Sequence, residues 1–294
     1  MNARLAAIIS CALVSVLGLA PAARADQAPP LQQLPDAEHF TIDPVVDGTL
    51  VAGGITFSAI LSRIVGTGEI RPTPPGSPEL LLSIDRIAVT QTLDPGAGKR
   101  SDVGLYAAYA YAVLDPILSG VRGGRRALLV DAILYAEAIA LTRAFTDATK
   151  IGVRRSRPID YALCGDTPDA PGCSSTDLQL SFFSGHASTT GAISATATYL
   201  AFMRAGPRHP RPWITLAVGT LLTAFVSYER VRSGEHFPTD VIMGSLAGAG
   251  IGVLVPHFHR RPHYHESAYC APPVLVGFST TSRNSGAVTL ALRF

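Results

Sequence analysis

Apolar stretches rich in alanine and leucine alternate with short breaks of glycine, proline and arginine along most of the chain. The alternating pattern typical of strands is mostly absent until the C-terminus. We therefore predict an all-α fold, a bundle of about six core helices, with a further short helix near residues 83–95. The predicted core helices cover about residues 50–66, 102–118, 126–149, 185–204, 211–229 and 238–256.

The C-terminal residues show a different pattern, a rough alternation of apolar and polar side chains. Residues 274–280 and 287–294 flank a Ser-Arg-Asn-Ser-Gly turn, which predicts a β-hairpin. A terminal phenylalanine on such a strand is also typical of outer-membrane barrels, but a closed barrel needs about eight strands or more. We therefore expect a C-terminal β-hairpin that packs on the helical domain.

The N-terminus is typical of a secretory signal peptide. Arg4 precedes an apolar run over residues 5–19, and Ala23-Arg24-Ala25 forms a cleavage site before Asp26. An uncleaved membrane anchor is the alternative. The predicted organisation is a signal peptide at 1–25, a Pro/Gln-rich linker or extended arm at 26–48, a helical bundle at 49–258, and a His-rich segment with the hairpin at 259–294.

Export would place the chain in an oxidising compartment, where disulfides form. Cys164 and Cys173 flank a short loop rich in proline, glycine and aspartate, so we predict a local disulfide between them. The mature chain would then keep Cys270 without an assigned partner.

The composition excludes some classes of protein and leaves a membrane location open. The formal net charge is +2 and only 16% of residues are charged, which argues against a nucleic-acid-binding protein. A membrane-spanning helix needs about 20 apolar residues. The stretches at 213–227 and 241–256 fall short of that length, and the helix from residue 127 carries Asp131 and Glu137 at its centre.

The arginine-rich loops give a second argument on location. If the signal peptide were cleaved and all six helices crossed the membrane, these loops would lie on the side away from the cytoplasm. The positive-inside rule instead places arginine-rich loops in the cytoplasm, so the two requirements conflict. A soluble or membrane-peripheral exported domain is therefore favoured, with an integral membrane protein as the alternative. The arginines concerned are Arg122, Arg125, Arg126, Arg204, Arg208 and Arg211.

Three clusters of polar residues are candidates for chemistry. The first follows a long helix and places four cations, Lys150, Arg154, Arg155 and Arg157, within eight residues. A solvated helix C-terminus, where the helix dipole favours cations, is the alternative interpretation.

The second cluster is Ser184-Gly185-His186, at the start of an Ala/Thr-rich helix. A helix N-terminus offers free backbone N–H groups and so binds anions, and His186 would be placed to donate a proton. In the alternative interpretation, Ser184 is an ordinary N-cap and His186 a first-turn residue.

The third cluster joins the last two predicted helices and contains Arg230, His236 and Asp240. A carboxylate four residues after a histidine can fix its tautomer and leave the other ring nitrogen nucleophilic. An incidental histidine and an aspartate favoured by the helix dipole are the alternative. In an up-and-down bundle all three clusters fall at one end, which predicts a phosphate site with a nucleophile and an acid.

These residues resemble the superfamily of type 2 phosphatidic acid phosphatases, bacterial non-specific acid phosphatases and vanadium haloperoxidases. Its signature reads K-x6-R-P, then P-S-G-H, then S-R-x5-H-x3-D. The chain matches it with Lys150 and Arg157-Pro158, with Ser184-Gly185-His186, and with Arg230, His236 and Asp240. Two positions depart, because Phe183 replaces the proline and Glu229 replaces the serine.

The resemblance implies a function and a role for each site residue. His236 would form a phosphohistidine, Asp240 would orient it, and His186 would protonate the leaving alcohol. No metal or other cofactor is implied, and the substrate would be a phosphorylated small molecule or a lipid (pyro)phosphate. A vanadate-dependent haloperoxidase and a non-catalytic phosphate-binding envelope protein are the alternatives. The residues implied to bind the phosphoryl group are Lys150, Arg157, Ser184, Gly185 and Arg230.

A His-rich stretch follows the last predicted helix and contains His257, His259, His263 and His265. It lies among arginines and a proline and lacks a ligand spacing typical of metal sites. We predict a solvated tail and no metal site there.

Overall fold

The structure is a computed structural model that describes residues 39–67, 75–165 and 173–261 and the backbone of two short strands. The predicted signal peptide, most of the predicted linker, His263, His265 and Cys270 lie outside the described residues. The first described helix begins at Pro44, inside the segment predicted to be a linker.

The described residues are predominantly helical, as predicted. Two single-turn 3₁₀ helices, Pro78–Leu80 and Thr176–Gln179, lie between the α-helices. The short helix α4 was not predicted from the sequence. The α-helices are α1 (Pro44–Gly66), α2 (Ser83–Thr90), α3 (Ala97–Val153), α4 (Pro158–Cys164), α5 (Gly185–Ala205), α6 (Pro210–Arg232) and α7 (Pro238–Phe258).

Helix α3 joins two segments that the sequence predicts as separate helices. Gly124 breaks it with a φ of 78° and a ψ of −178°, a conformation open almost only to glycine. The chain reverses there, and the Tyr135 hydroxyl donates to Asp115 across the two segments at 3.0 Å. Residues 97–123 and 125–153 therefore act as two antiparallel members of the bundle.

The long helical segments alternate in direction, and this brings the predicted clusters to one end. Asp102 contacts His186 and Arg100 contacts Glu229 at that end. Arg204 pairs with Asp131 at the opposite end. The ends of α3 and α6 and the starts of α5 and α7 thus share one end of the bundle, as predicted.

Three glycines at four-residue spacing bring α7 against α5. A Cβ at Gly244, Gly248 or Gly252 would lie 2.8, 1.8 or 2.3 Å from the carbonyl oxygens of Ser184, Ser188 and Ala192, respectively. Small residues at this spacing allow two helix backbones to approach closely. This contact, here called the glycine seam, sets Ser184-Gly185-His186 beside the start of α7.

Large apolar side chains cover much of the outer surface of the bundle. Helices α1, α6 and α7, with 23, 23 and 21 residues, are long and apolar enough to cross a membrane. The sequence-based expectation that the apolar stretches of α6 and α7 are too short is therefore wrong, because both helices extend beyond those stretches. An exposed apolar surface of this extent indicates membrane association. Exposed side chains include Ile55, Phe57, Ile60, Val113, Ile117, Val121, Trp213, Val218, Leu221, Leu246 and Leu254.

Val276–Ser279 and Ala287–Leu290 pair as two antiparallel strands, with Val276 opposite Leu290. The residues around and between them lie outside the described part of the chain. Packing of the hairpin on the helical domain therefore stays a prediction.

Candidate active site

His236 is buried within the candidate site, with 1% of its surface exposed. Its Nδ1 lies 2.7 Å from the carbonyl oxygen of Ser181. A carbonyl oxygen only accepts, so Nδ1 carries the proton and Nε2 keeps a free lone pair. The Asp240 carboxylate, expected from the sequence to accept this hydrogen bond, lies 3.9 Å from Nδ1. Ser181 thus fixes the tautomer that makes Nε2 nucleophilic.

Asp240 acts on His236 through its neighbours. Its carboxylate accepts hydrogen bonds from the Ser181 hydroxyl at 2.5 Å and from the Phe237 backbone N–H at 2.9 Å. Arg155 donates to the other carboxylate oxygen at 2.5 Å and pairs with the buried Asp85 at 2.7 Å. Asp240 therefore holds the two segments that flank the histidine.

Two arginine side chains converge beside His236. Arg157 and Arg230 both contact the same Oε2 atom of Glu235, and for Arg230 the distance is 3.2 Å. Arg157 also pairs with Asp177 at 2.8 Å. Two guanidinium groups that meet at one carboxylate oxygen are arranged as they would be around a phosphoryl oxygen.

Lys150, in the last turn of the long helix α3, adds a third cation. Burial, followed by the repulsion of Arg157, lowers its pKa to about 8. Burial also lowers the pKa of His236 well below its usual value, and the charges of Lys150, Arg157 and Arg230 act in the same direction. Three cations close enough to act on one imidazole form an anion-binding pocket around it.

The N-terminus of α5 supplies the remaining predicted groups. Ser184 is the N-cap of α5, and its hydroxyl accepts from the Ala187 N–H at 3.4 Å. The backbone N–H of Ser184 donates to the Asp240 carbonyl at 3.1 Å and so joins this turn to α7. Ser184 can therefore cap the helix and bind a phosphate at the same time. Its hydroxyl oxygen accepts from the backbone N–H, and its O–H proton stays available for donation to an anion.

His186, in the first turn of α5, is held by a residue from a distant helix. Its Nε2 lies 2.8 Å from Asp102 Oδ1 on α3. Burial, followed by the charge of Arg230, lowers the pKa of His186 to about 4. The ring is therefore neutral near pH 7 and has one nitrogen bound to a carboxylate.

The sequence model of the PAP2 superfamily matches residues 131–264, a span that contains all three clusters. Over these residues, somewhat less than half of its length, the chain resembles the PAP2 superfamily. Among solved structures, it is similar to the first transmembrane PAP2-type phosphatidylglycerolphosphate phosphatase from Bacillus subtilis, at 18% sequence identity and a TM-score of 0.42. That comparison covers 72% of this chain and 94% of the other.

The two departures from the PAP2 motif both find partners in the structure. Glu229, in the place of the motif serine, is buried and pairs with Arg100 at 2.8 Å. The charge of Glu229 is thus balanced by Arg100, which is not one of the three cations around His236. Phe183, in the place of the proline, is buried against Phe145 with the ring centres 5.7 Å apart. Both departures are therefore accommodated by contacts with neighbouring side chains.

The loop before the second PAP2 cluster is closed by the predicted disulfide. Cys164, at the end of α4, bonds to Cys173, nine positions later. Close by, the Arg157 backbone N–H donates to the Leu178 carbonyl at 2.7 Å. The loop is therefore attached at both ends to the segment that carries Arg157.

Four contributors to the site were not found from the sequence: Asp102, Ser181, Asp177 and Glu235. Asp102 lies 84 positions before its partner His186, so only the fold brings them together. Ser181 contacts His236 through its backbone carbonyl. Every residue has such a carbonyl, so the residue type at position 181 gives no indication of this contact. Glu235 stands next to His236, and that proximity was the one available signal.

Proposed function

We propose that the chain is a metal-independent phosphatase of the cell envelope that works through a phosphohistidine on His236. Its substrates would be phosphate monoesters or lipid (pyro)phosphates. The observation that carries the proposal is the meeting of Arg157 and Arg230 on one carboxylate oxygen beside a histidine whose Nε2 is unprotonated. Phosphoryl transfer needs mainly positioning and neutralisation of charge, and this pocket supplies both.

In the first step, the substrate phosphoryl group takes the place of the Glu235 carboxylate between the two arginines. Lys150, the Ser184 hydroxyl and the Gly185 N–H bind its remaining oxygens. The Nε2 lone pair of His236 attacks phosphorus in line, and the bond from phosphorus to the leaving oxygen breaks. The Ser181 carbonyl stabilises the positive charge that develops on the ring, because it accepts from Nδ1–H.

His186 handles the proton in both steps. Burial and, after it, the charge of Arg230 oppose its protonation in the substrate-free pocket. A bound phosphoryl group would offset the charge of Arg230 and so raise the pKa of His186 towards the working range. The protonated ring donates to the leaving oxygen. In the second step, the neutral ring takes a proton from the water that attacks the phosphohistidine, and inorganic phosphate leaves.

The location in the envelope rests on the outer surface of the bundle. Helices α1, α6 and α7 offer three apolar segments of membrane-spanning length. We therefore propose that the bundle is embedded in a membrane, with the phosphate pocket at one end near the lipid headgroups. An embedded protein should stay with the membrane fraction after a high-salt wash and need detergent for extraction, whereas a peripheral protein would be released by salt.

The nucleophile is tested with His236→Ala. We expect this variant to lose phosphate release from both a soluble aryl phosphate and a long-chain lipid phosphate. His257→Ala, which changes an exposed histidine near the end of α7, is the matched control and should keep activity. With radiolabelled substrate and an alkaline quench, the label should remain on the wild type and be absent from His236→Ala. Full phosphate release by folded His236→Ala would refute the mechanism.

The substrate class is tested with a panel of phosphate esters that differ in chain length, each assayed with and without detergent micelles. A lipid phosphatase should show rising kcat/KM with chain length. Equal rates on short and long chains would assign the site to soluble phosphates.

A further inference from the structure

A second cluster of ionisable side chains lies at a different place in the bundle. Asp47 in the first turn of α1, Glu137 in α3 and His259 just after α7 bring their side-chain ligand atoms within 4.8 Å of one another. His259 follows the end of α7, whereas His236 precedes its start. A helix of 21 residues is about 30 Å long, so the two sites are separate.

The orientation of His259 differs from that of a residue in a solvated tail. Its Nδ1 lies 2.8 Å from the Val255 carbonyl, so Nδ1 carries the proton. Its Nε2 then faces Asp47 Oδ1 at 3.2 Å and Glu137 Oε2 at 3.3 Å. An Nδ1–H bound to a backbone carbonyl, with Nε2 directed at other ligands, is the usual arrangement of a metal-binding histidine. The prediction that His259 belongs to a solvated tail is wrong.

The two carboxylates are buried and only partly satisfied. Glu137 is 3% exposed, and among the described residues its Oε2 has no hydrogen-bond partner. Asp47 is also 3% exposed, and its second oxygen accepts from the Asp43 backbone N–H at 2.8 Å. Even a fully protonated His259 would offer a single Nε2–H to two carboxylates. A buried pair of this kind needs a second positive charge.

We propose that Asp47, Glu137 and His259 form a binding site for one divalent transition-metal ion, with zinc as the preferred ion. One nitrogen and two carboxylate oxygens are donors that zinc binds at about 2.0–2.2 Å. In a tetrahedron with such bonds the donors lie about 3.3–3.5 Å apart, close to the two distances from Nε2. A water molecule would complete the coordination. The ion would cancel the two carboxylate charges and leave the buried cluster neutral.

The site would stabilise the fold rather than take part in phosphate chemistry. Its three ligands come from three separate elements, and the adjacent backbone is already paired. The Thr41 N–H donates to the His259 carbonyl at 2.8 Å, and the Arg261 N–H donates to the His39 carbonyl at 3.0 Å. A bound ion would therefore lock α1 and the end of α7 onto α3.

The test is metal binding by the full chain in detergent, after treatment with a chelator and removal of the chelator. We expect one zinc ion per chain in a saturable titration, and a rise in Tm when zinc alone is added. Glu137→Gln and His259→Gln should weaken zinc binding at least tenfold and remove the rise in Tm. His257→Gln and the double variant His263→Gln/His265→Gln should bind as the wild type does, which separates this site from chelation by the His-rich segment.

Cobalt binding provides a readout that does not depend on a variant folding. Co²⁺ added to the chelator-treated wild type should give the intense visible absorption of a tetrahedral site, and zinc should displace it. Weak, octahedral-type absorption would overturn the proposal. So would zinc binding that Glu137→Gln and His259→Gln leave unchanged, or the absence of stoichiometric zinc binding. In that last case the cluster is an ion pair made by a protonated His259.

Discussion

The glycine seam makes a testable link between helix packing and catalysis. A Cβ at position 248 would lie 1.8 Å from the Ser188 carbonyl oxygen and 2.6 Å from its carbon. Both atoms are backbone atoms within α5, so no side chain can rotate to relieve the overlap. In Gly248→Ala, α5 and α7 would have to move apart by about 1.2 Å or more, and overpacking of this kind costs about 2–3 kcal/mol.

The expected loss can be measured as a fall in Tm in detergent. A cost of that size corresponds to a decrease of about 4–12 °C for a domain of this length. Activity should fall as well, because the displacement separates His186 on α5 from His236 beside α7. Gly250→Ala is the matched control, because a Cβ there would meet nothing within 4 Å. Equal melting temperatures for Gly248→Ala and Gly250→Ala would refute the close approach of the two helices.

Three further predictions concern the phosphate pocket. Asp102→Asn removes the charge at 2.8 Å from His186, so kcat should fall about tenfold or more with little change in KM, and an unchanged kcat would contradict this positioning role. Lys150 loses its proton as the pH rises through about 8, so the KM for an anionic substrate should rise above that pH. The arginine in Lys150→Arg stays charged, so this variant should show no such rise in KM. Glu235→Gln removes the carboxylate that Arg230 binds, so the inhibition constant of inorganic phosphate should fall about tenfold, and weaker inhibition would refute competition by Glu235.

Local spacing made much of the site predictable. Lys150, in the last turn of α3, lies seven positions before Arg157, and Arg230, His236 and Asp240 lie within eleven residues around one turn. Within such short segments the backbone geometry limits where side chains can go. The alternation of helix direction then brought the segments to one end, because short connections join antiparallel neighbours.

Contacts between distant segments were not predictable from pattern alone. The pairing of Asp102 with His186 depends on the position of residues 97–123 in the bundle, and helical periodicity does not specify that position. The uninterrupted apolar stretches at 213–227 and 241–256 are shorter than α6 and α7 themselves, which continue through the polar and proline residues at their ends. His259 was misplaced for a related reason, since its partners Asp47 and Glu137 come from two other elements.

The shared contact of Arg157 and Arg230 with Glu235 has a consequence for turnover. A pocket with three cations and no internal anion would hold inorganic phosphate tightly, and product release would then limit the rate. A tethered carboxylate is always present at high effective concentration, so it can re-enter as the product departs. Under the proposed mechanism, the chain would give up some affinity for its substrate and gain a faster return to the free state.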